Sequence, residues 1–254
     1  MNDTKKTAVI FGLANKRSLA WAIAQKLSEA GWRLAISYQN ERMAQEAKDL
    51  VTELPGAEGF MCDVSFDEQI ARLFEELKTK YGVLHGVVHS VAFAPADDMK
   101  GEFLNTSREG FRIAHDVSVY SLIAVARAAA PLMSSGGGIL TLTYYGAEKV
   151  VPKYNVMGVA KAALEASVRY LASDLGRANI RVNAISAGPI KTASARGIKD
   201  FSTVLDKVAA RAPLRRNCDP AEVADAAVFL ASDLGRGVTG NVIFVDAGFQ
   251  IMGL

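Results

Sequence analysis

Three tyrosines stand close together in the stretch 143–161, TYYGAEKVVPKYNVMGVAK, which ends on a lysine, Lys161. A phenol can donate a hydrogen bond or a proton to an oxygen that gains negative charge, and a nearby ammonium lowers the cost of that charge. Lys161 follows Tyr154 by seven residues, which on a helix is about two turns and about 10 Å along the axis. The two side chains then share a face and could converge on one group, such as a ribose hydroxyl. Met157, one turn before the lysine, offers neither a donor nor a charge.

The other two tyrosines differ in the direction that their side chains are expected to take. Tyr144 leaves a predicted strand at the same edge of the sheet and is a candidate second donor. Tyr145 points the opposite way if the strand alternation continues, so it is excluded from the candidate site. Packing at a helix N-terminus remains an alternative role for Tyr154, and solvent exposure remains an alternative for Lys161. The helix is predicted over 155–177. Its expected apolar face consists of Val159, Ala163, Ala166 and Leu171.

Short β-rich runs alternate with longer helical patterns along the whole chain. Strands are predicted over 7–12, 33–38, 58–63, 84–90, 138–143, 180–186 and 241–246. These runs are almost continuously apolar, as is typical of strands that are covered on both faces. Two of the intervening helices are predicted to end at Gly31 and Gly82. The pattern predicts an α/β fold, a single-domain Rossmann-type doubly wound parallel sheet of about seven strands with helices on both faces, over 1–254.

The turn after the first strand, FGLANKRSLA over 11–20, could hold the pyrophosphate of a dinucleotide. Ligands of such sheets bind beyond the carboxyl ends of the strands, and a helix N-terminus offers free N–H groups to phosphate. Of the three glycines in the usual fingerprint only Gly12 is present, with Lys16 and Ser18 in the other two places. Ser18 could cap the helix and also bond phosphate. An ordinary strand–helix turn remains the alternative.

The ends of the second and third strands carry polar side chains that could contact an adenosine. Gln39 follows the second strand, where NAD-binding proteins usually have a carboxylate for the ribose diol. It could still bond the sugar, so these residues leave the choice between NADH and NADPH open. Asp63 ends the third strand. It could reach the adenine edge, or it could cap the following helix.

The bulk properties exclude several classes of function. The chain has 254 residues, with 29 basic and 27 acidic side chains and a net charge of +2, which gives no reason to expect a nucleic acid partner. The two cysteines form no C-x-x-C motif and the three histidines lack metal-ligand spacing, so no metal site is expected. The apolar run over 122–133 is too short to span a bilayer. A cytoplasmic protein without a membrane segment is therefore expected.

Several motifs resemble those of one family, the bacterial NADH-dependent enoyl-acyl carrier protein reductases, a divergent branch of the short-chain dehydrogenase/reductases. The resemblance covers essentially the whole chain. Its most specific motifs are SYQN (37–40), HSVAFAP (89–95), REGFRIAHDVSVYS (108–121), LTLTYYGAEK (140–149), PKYNVMGVAKAALEASVRYLA (152–172), RVNAISAGPIKT (181–192) and GIKDF (197–201). The Tyr-x6-Lys spacing separates this branch from the commoner Tyr-x3-Lys enzymes. Val91–Ala92 stands where Ile–Gly is frequent in the family.

The resemblance implies reduction of the carbon–carbon double bond of trans-2-enoyl-acyl carrier protein thioesters in bacterial fatty acid elongation, by a homotetramer. NADH is the implied cofactor, and NADPH is less favoured. Tyr154 and Lys161 match the catalytic pair, with Tyr144 as the second phenol, and Ala94 matches a backbone contact to the acyl substrate. The residues that match cofactor contacts are Gly12, Ser18, Leu19, Gln39, Asp63, Val64, Val91, Lys161, Ile190, Lys191, Thr192, Ala193 and Ser194.

The long segment 191–216 follows the sixth strand and is expected to form a lid over cofactor and acyl chain, with Gly197 as a possible hinge. Its basic residues could meet the acidic carrier protein, or they could form a solvated face; they include Lys199, Arg211, Arg215 and Arg216. Two other functions remain open. One is a carbonyl or alcohol dehydrogenase of the same superfamily, although its expected Tyr-x3-Lys is absent. The other is a non-catalytic dinucleotide-sensing module.

Overall fold

The computed structural model describes residues 5–192 and 201–253 of the chain, with only the backbone at position 201. Seven parallel strands form one sheet in the order β3-β2-β1-β4-β5-β6-β7. The strands are β1 Thr7–Phe11, β2 Arg33–Tyr38, β3 Glu58–Met61, β4 Gly86–His89, β5 Gly137–Thr143, β6 Ile180–Ala187 and β7 Val242–Val245. The predicted seven-stranded parallel sheet is confirmed, and the predicted ends are shifted by one or two residues at most strands.

The main helices cover both faces of this sheet. They are α1 Leu19–Glu29, α2 Glu41–Thr52, α3 Asp67–Tyr81, α4 Arg108–His115, α5 Ser121–Ala129, α6 Asn155–Leu175, α7 Phe201–Arg211 and α8 Pro220–Ala231. Alternate residues of β1 enter different cores: Val9 and Phe11 pack with one layer of helices, and Ala8 and Ile10 pack with the other. This two-sided burial explains why the strands are apolar without alternation.

The order of the strands reverses between β1 and β4, which lie side by side with Phe11 opposite His89. Chain segments leave this point in opposite directions, which opens a crevice at the carboxyl edge of the sheet. Gly12 and Ser90 are the first residues past the two strands. The crevice at which the sequence pattern predicts a ligand site is therefore present in the fold.

The buried face of α6 differs from the predicted one. Val159 is 38% exposed, and Ala163, Ala166 and Leu171 are only partly buried. The residues that face the sheet are Val156, Met157, Ala160, Lys161, Leu164, Glu165, Val168 and Ala172. The prediction was wrong because α6 carries apolar or small residues around most of its circumference, so that periodicity does not select one side.

Helical structure is continuous over Arg108–Leu132, which is longer than the apolar run considered in the sequence. By length and composition alone these 25 residues could cross a membrane, but half of the most apolar window is buried inside the fold. Leu122, Val125 and Ala126 are fully buried in the core. A buried core helix passes the same test of length and composition, so this helix is weak evidence for a membrane segment.

The segment expected to be a lid contains a regular helix. Residues 193–200, including Ala193, Ser194, Gly197 and Lys199, lie outside the described residues. Phe201–Arg211 forms α7, and Leu205 and Val208 on this helix and Ala212 directly after it are buried. The spacing of these three residues follows the helical repeat, so the sequence itself indicates a helix within the segment expected to be a lid.

Candidate active site

The turn after β1 can be formed only with glycine at its first position. Gly12 has φ +95°, and a Cβ there would lie 2.0 Å from the backbone oxygen of Ser90. The chains that leave β1 and β4 thus touch at the crevice. This bare backbone is the kind of cradle that lets a phosphate approach closely, so Gly12 fits the predicted dinucleotide site.

Ser18 is the N-cap of α1, as the sequence predicted. Its Oγ accepts a hydrogen bond from the backbone N–H of Trp21 at 3.2 Å and donates one to Asn15 O at 2.7 Å. The next residue, Leu19, packs partly buried against the core on that side of the sheet. Lys16 forms an ion pair with Glu53 at 2.6 Å. The turn is therefore ordered by its own hydrogen bonds and presents the N-terminus of α1 to the crevice.

The polar residues after β2 and β3 meet each other. Gln39 Nε2 donates to a carboxylate oxygen of Asp63 at 3.0 Å. Asp63 does not cap α3, because the N-cap position belongs to Phe66 and has no side-chain cap. The other carboxylate oxygen of Asp63 accepts from the backbone N–H of Ser65 at 3.0 Å. The neighbouring Val64 is buried in the core.

A cavity of about 470 Å³ joins the turn after β1 to the segment after β6. Residues that line it include Lys16, Arg17, Ile190, Lys191, Leu205 and Asn217. Ile190 is buried, Lys191 is exposed, and the backbone N–H of Thr192 donates to Ile190 O at 2.8 Å. The Oδ1 atom of Asn217 is buried and has no hydrogen-bond partner within residues 5–192 and 201–253. Sequence patterns did not select Asn217, because no local motif marks it.

The two phenols selected from the sequence are in direct contact. Tyr144 follows β5 and Tyr154 is the N-cap residue of α6, and their rings meet edge to face with centroids 5.0 Å apart. Tyr145 is not part of this pair, since its ring packs on Phe249 with a centroid distance of 6.0 Å. Burial raises the pKa of Tyr154, and the nearby Tyr144 raises it further. A phenol with a raised pKa keeps its proton at neutral pH and remains a hydrogen-bond donor.

Irregular backbone on both sides holds Tyr154 in this place. Lys153 and Asn155 both have positive φ values, 67° and 38°. Such conformations are costly for residues other than glycine and persist only where the surrounding structure imposes them. A Cβ on Gly146 would lie 2.5 Å from the Tyr154 ring. The ring therefore packs directly on the bare backbone of the turn after β5.

Lys161 lies on the buried face of α6 and is only 5% exposed, so the solvent-exposed alternative is wrong. Its Nζ donates to Leu142 O at 2.8 Å, two residues before Tyr144. Burial lowers the pKa of Lys161 to about 8, and the Glu165 carboxylate acts in the opposite direction. Met157 is buried one turn earlier. The lysine is thus held at the end of β5, beside the strand that carries one of the phenols.

Glu165 is a second buried charged group that sequence patterns did not select, although it lies four residues after Lys161 on the same face. It accepts a hydrogen bond from Thr143 Oγ1 at 2.7 Å. Burial raises the pKa of this carboxyl. Lys161 and Glu165 therefore hold the consecutive residues Leu142 and Thr143 at the end of β5.

The histidines have structural partners. His89 is fully buried, and its ring nitrogens lie 3.1 Å from Thr141 Oγ1 and 2.7 Å from Ser121 Oγ. Burial lowers the pKa of His89 to about 3, and the Lys161 charge contributes. His85 accepts from the backbone N–H of Thr7. These contacts give the two rings a structural role.

Comparisons with known proteins show the family to which the chain belongs. A family model described as enoyl-(acyl carrier protein) reductase matches residues 12–250. The chain is 55% identical over 250 residues to the enoyl-(acyl-carrier-protein) reductase (NADH) of Bacillus cereus, with 98% of both chains covered. It is 51% identical over 252 residues to the corresponding reductase (NADPH) of Staphylococcus aureus, with 98% of both chains covered.

A crystal structure extends the match to three dimensions. The Bacillus cereus enoyl-acyl carrier protein reductase, solved with NADP+ and an indole naphthyridinone, has a TM-score of 0.97 and 54% identity over 100% of both chains. The sequence comparisons and the fold comparison point to the same family. The chain belongs to the enoyl-(acyl carrier protein) reductase family.

Proposed function

We propose that this chain reduces the carbon–carbon double bond of trans-2-enoyl-acyl carrier protein thioesters at the expense of NADH, in fatty acid elongation. The observation that carries the proposal is the pair of phenols, Tyr144 and Tyr154, beside a buried lysine at the end of β5. A carbonyl reductase of the superfamily would be expected to have a tyrosine at the position of Met157. In this chain Met157 is buried in the core and cannot donate a proton.

The phenol of Tyr154 is suited to stabilise an enolate. When NADH is bound, it supplies a hydride to the β-carbon of the enoyl thioester. Negative charge then builds on the thioester oxygen, and a neutral phenol in a poorly solvated site can donate a hydrogen bond to it. Donors oriented in this way typically contribute about 3 kcal/mol each. The raised pKa of Tyr154 keeps that hydrogen in place over the neutral range.

Lys161 is proposed to bind the nicotinamide ribose. Its aliphatic part is buried and its ammonium is already oriented by Leu142 O, so it can donate to a ribose hydroxyl with little further loss of side-chain entropy. Its positive charge also lowers the cost of an oxyanion nearby. Other proposed contacts to the cofactor lie around the same crevice. They are Gly12, Ser18, Leu19, Val91 and Ile190. Gln39, Asp63 and Val64 would face the adenosine end.

NADH is proposed as the preferred cofactor over NADPH. Gln39 is bonded to the carboxylate of Asp63 at the place expected for the adenosine ribose. An added 2′-phosphate would bring negative charge toward that carboxylate, whereas a ribose diol can donate to it. The relatives include both an NADH and an NADPH enzyme, so the preference of this chain is a property to be measured.

A homotetramer is proposed from exposed apolar side chains on neighbouring helices. Phe111 on α4 is 42% exposed, Val159 on α6 is 38% exposed and Tyr170 on α6 is 77% exposed. Apolar groups of this size on adjacent elements are the kind of surface that another copy of the chain could cover. Light scattering after gel filtration would give the number of subunits, and a monomeric mass would exclude the proposal.

The segment 191–216 is proposed to close over the substrate. The chain is proposed to form a single reductase domain that works in the cytoplasm. The basic residues of the segment are not equivalent as contacts for an acidic carrier protein. Arg216 is committed to Glu222 through two bonds of 2.8 and 2.6 Å, and Arg215 donates to Ala210 O. Lys207 and Arg211 on α7 are therefore the better candidates among the described residues.

The loss of NADH absorbance tests the proposed reaction. Crotonyl and longer 2-enoyl thioesters should consume NADH, whereas ketones should not, and NADPH should support a lower kcat/KM. Oxidation of NADH by ketones but not by enoyl thioesters would identify a carbonyl reductase instead. Binding of NADH without turnover of any of these substrates would favour a dinucleotide sensor.

A further inference from the structure

A π-helical turn, Asp116–Tyr120, separates α4 from α5. The backbone N–H of Ser121 reaches Asp116 O, five residues back, which is the hydrogen bond that defines this turn. Turns of this kind add one residue to an α-helix and are common at functional sites. Here the extra residue changes the direction of the side chains that follow it. Ser118 lies in the middle of the turn and is fully buried.

The hydroxyl of Ser118 makes two hydrogen bonds to a single residue of another segment. It accepts from the backbone N–H of Phe93 at 3.0 Å and donates to the backbone oxygen of Phe93 at 3.2 Å. Serines within helices usually bond the carbonyl four residues earlier. Ser121 and Ser167 do so, at 2.7 and 2.9 Å. Ser118 is turned instead toward the segment after β4.

Val91 and Ala94 of this segment pack partly buried against the core, but few hydrogen bonds hold its backbone. Ser90 is fixed by a bond of 3.1 Å from its N–H to Phe11 O, but residues 91–95 form no helix or strand. Within the described residues, the hydrogen bonds of the 91–94 backbone both go to Ser118. The Phe93 side chain is 53% exposed, so side-chain burial does not fix Phe93 itself.

We propose that Ser118 is a positioning residue that fixes the backbone of Phe93. The neighbouring Val91 and Ala94 are thereby held in fixed positions, Val91 toward the cofactor and Ala94 toward the substrate. This inference rests on the proposed function, because that function assigns the nicotinamide contact to Val91 and the acyl contact to Ala94. A single hydroxyl can satisfy one donor and one acceptor of the same residue, which restrains both the position and the rotation of its peptide groups. A positioned backbone contact loses effectiveness when it moves by about 1 Å.

The test compares the unsubstituted enzyme with Ser118→Ala, Ser118→Cys and Ser167→Ala. Cysteine places a slightly larger thiol, a weak donor, where serine has its hydroxyl, whereas alanine leaves the space empty, so the two variants together separate hydrogen bonding from packing. Ser167→Ala removes a helical hydroxyl that donates to Ala163 O within its own helix. Both Ser118 variants should lower kcat/KM for a crotonyl thioester by about ten- to a hundredfold, as expected when buried backbone groups lose a partner. The NADH dissociation constant should stay close to that of the unsubstituted enzyme, because most dinucleotide contacts lie elsewhere.

Amide hydrogen exchange provides a readout that does not depend on the reaction. The Phe93 amide should exchange faster in Ser118→Ala than in the unsubstituted protein, and Ser167→Ala should leave it unchanged. Unchanged exchange at Phe93 would overturn the inference whether or not the protein reduces enoyl thioesters. Faster exchange with an unaltered kcat/KM would also overturn it, since the held segment would then not serve the reaction. If the unsubstituted protein reduces no enoyl thioester, the proposed function fails and only the exchange result bears on Ser118.

Discussion

Tyr144 and Tyr154 meet edge to face, with ring centroids 5.0 Å apart and ring planes 73° apart. One ring comes from the end of β5 and the other from the start of α6. The contact brings two hydroxyl-bearing rings to the same side of the crevice, and both rings are partly buried. Lys161 is attached to the same segment, because its Nζ donates a hydrogen bond to Leu142 O, two residues before Tyr144.

Removal of the Tyr154 hydroxyl should lower turnover while leaving cofactor binding intact. Tyr154→Phe keeps the ring and its packing on Tyr144, so the fold should be unaffected. The loss of one oriented donor to the oxyanion predicts a kcat about a hundredfold lower. The rate of NADH oxidation with a crotonyl thioester measures this. Tyr145→Phe is the matched control, since that ring packs on Phe249, and it should retain full activity. Full activity in Tyr154→Phe would remove this residue from the mechanism.

A methyl group on Gly146 should displace the catalytic ring from its place. The added Cβ would lie 2.5 and 2.9 Å from two atoms of the Tyr154 ring. Overpacking of this kind typically costs about 1–3 kcal/mol of stability, and the shifted phenol should lower kcat. Gly176→Ala is a suitable control because nothing lies within 4 Å of its Cβ. Thermal unfolding and steady-state kinetics of both variants give the comparison. Equal kcat values would show that the ring has room to adjust.

NADH affinity should depend on pH through Lys161. Burial lowers the pKa of this lysine to about 8. A lysine is charged below its pKa, so the affinity should be constant at lower pH and should fall as the pH rises through this value. Glu165→Gln removes the carboxylate that raises this pKa, so the fall should begin at a lower pH. Fluorescence titration with NADH across the pH range measures both curves.

The control for this pH dependence is Glu75→Gln, which removes an exposed carboxylate on α3. Glu75 pairs only with Lys78, at 3.8 Å, among the ion pairs of the described residues. Its pH profile should coincide with that of the unsubstituted protein. A Glu165→Gln profile that also coincides would mean that this carboxylate does not set the charge of Lys161.

Gly12→Ala should destabilise the protein more than an alanine at another glycine with positive φ. Gly31 has φ +83° and nothing within 4 Å of its Cβ, so Gly31→Ala carries backbone strain alone, about 1 kcal/mol. Gly12→Ala adds a clash with Ser90 O, for a total of about 2–4 kcal/mol. Urea unfolding of both variants measures the difference. Equal losses of stability would show that Ser90 can move away from β1, and NADH affinity should then be retained.

Local chemistry accounts for the features that were predicted well. Gly31 and Gly82 have positive φ within two residues of the ends of α1 and α3. Glycine adopts this conformation easily, so the ends of these helices could be placed from the sequence. Ser18 caps α1 because a short hydroxyl side chain reaches the free N–H groups of a first turn. Neither prediction needs knowledge of any other segment of the chain.

Features that were predicted poorly depend on what packs against each element. In α6 small and apolar residues occur on several sides, and only the sheet decides that Ala160 and Leu164 are buried while Val159 is 38% exposed. The π-helical turn at Ser118 has no sequence signature in the single chain, because one added residue is visible only when the backbone is built. The bonds from Ser118 to Phe93 join residues 25 apart, so no local pattern predicts them.

The sequence by itself determined the α/β alternation, the glycine at the end of β1, the seven-residue spacing of Tyr154 and Lys161, and the family. Only the tertiary structure decided that Lys161 is buried against Leu142 O and that Tyr144 meets Tyr154 edge to face. Periodicity and turn propensity act over a few neighbouring residues and can be read along the chain. The charge state of a lysine and the contact of two rings depend on groups that folding alone brings together.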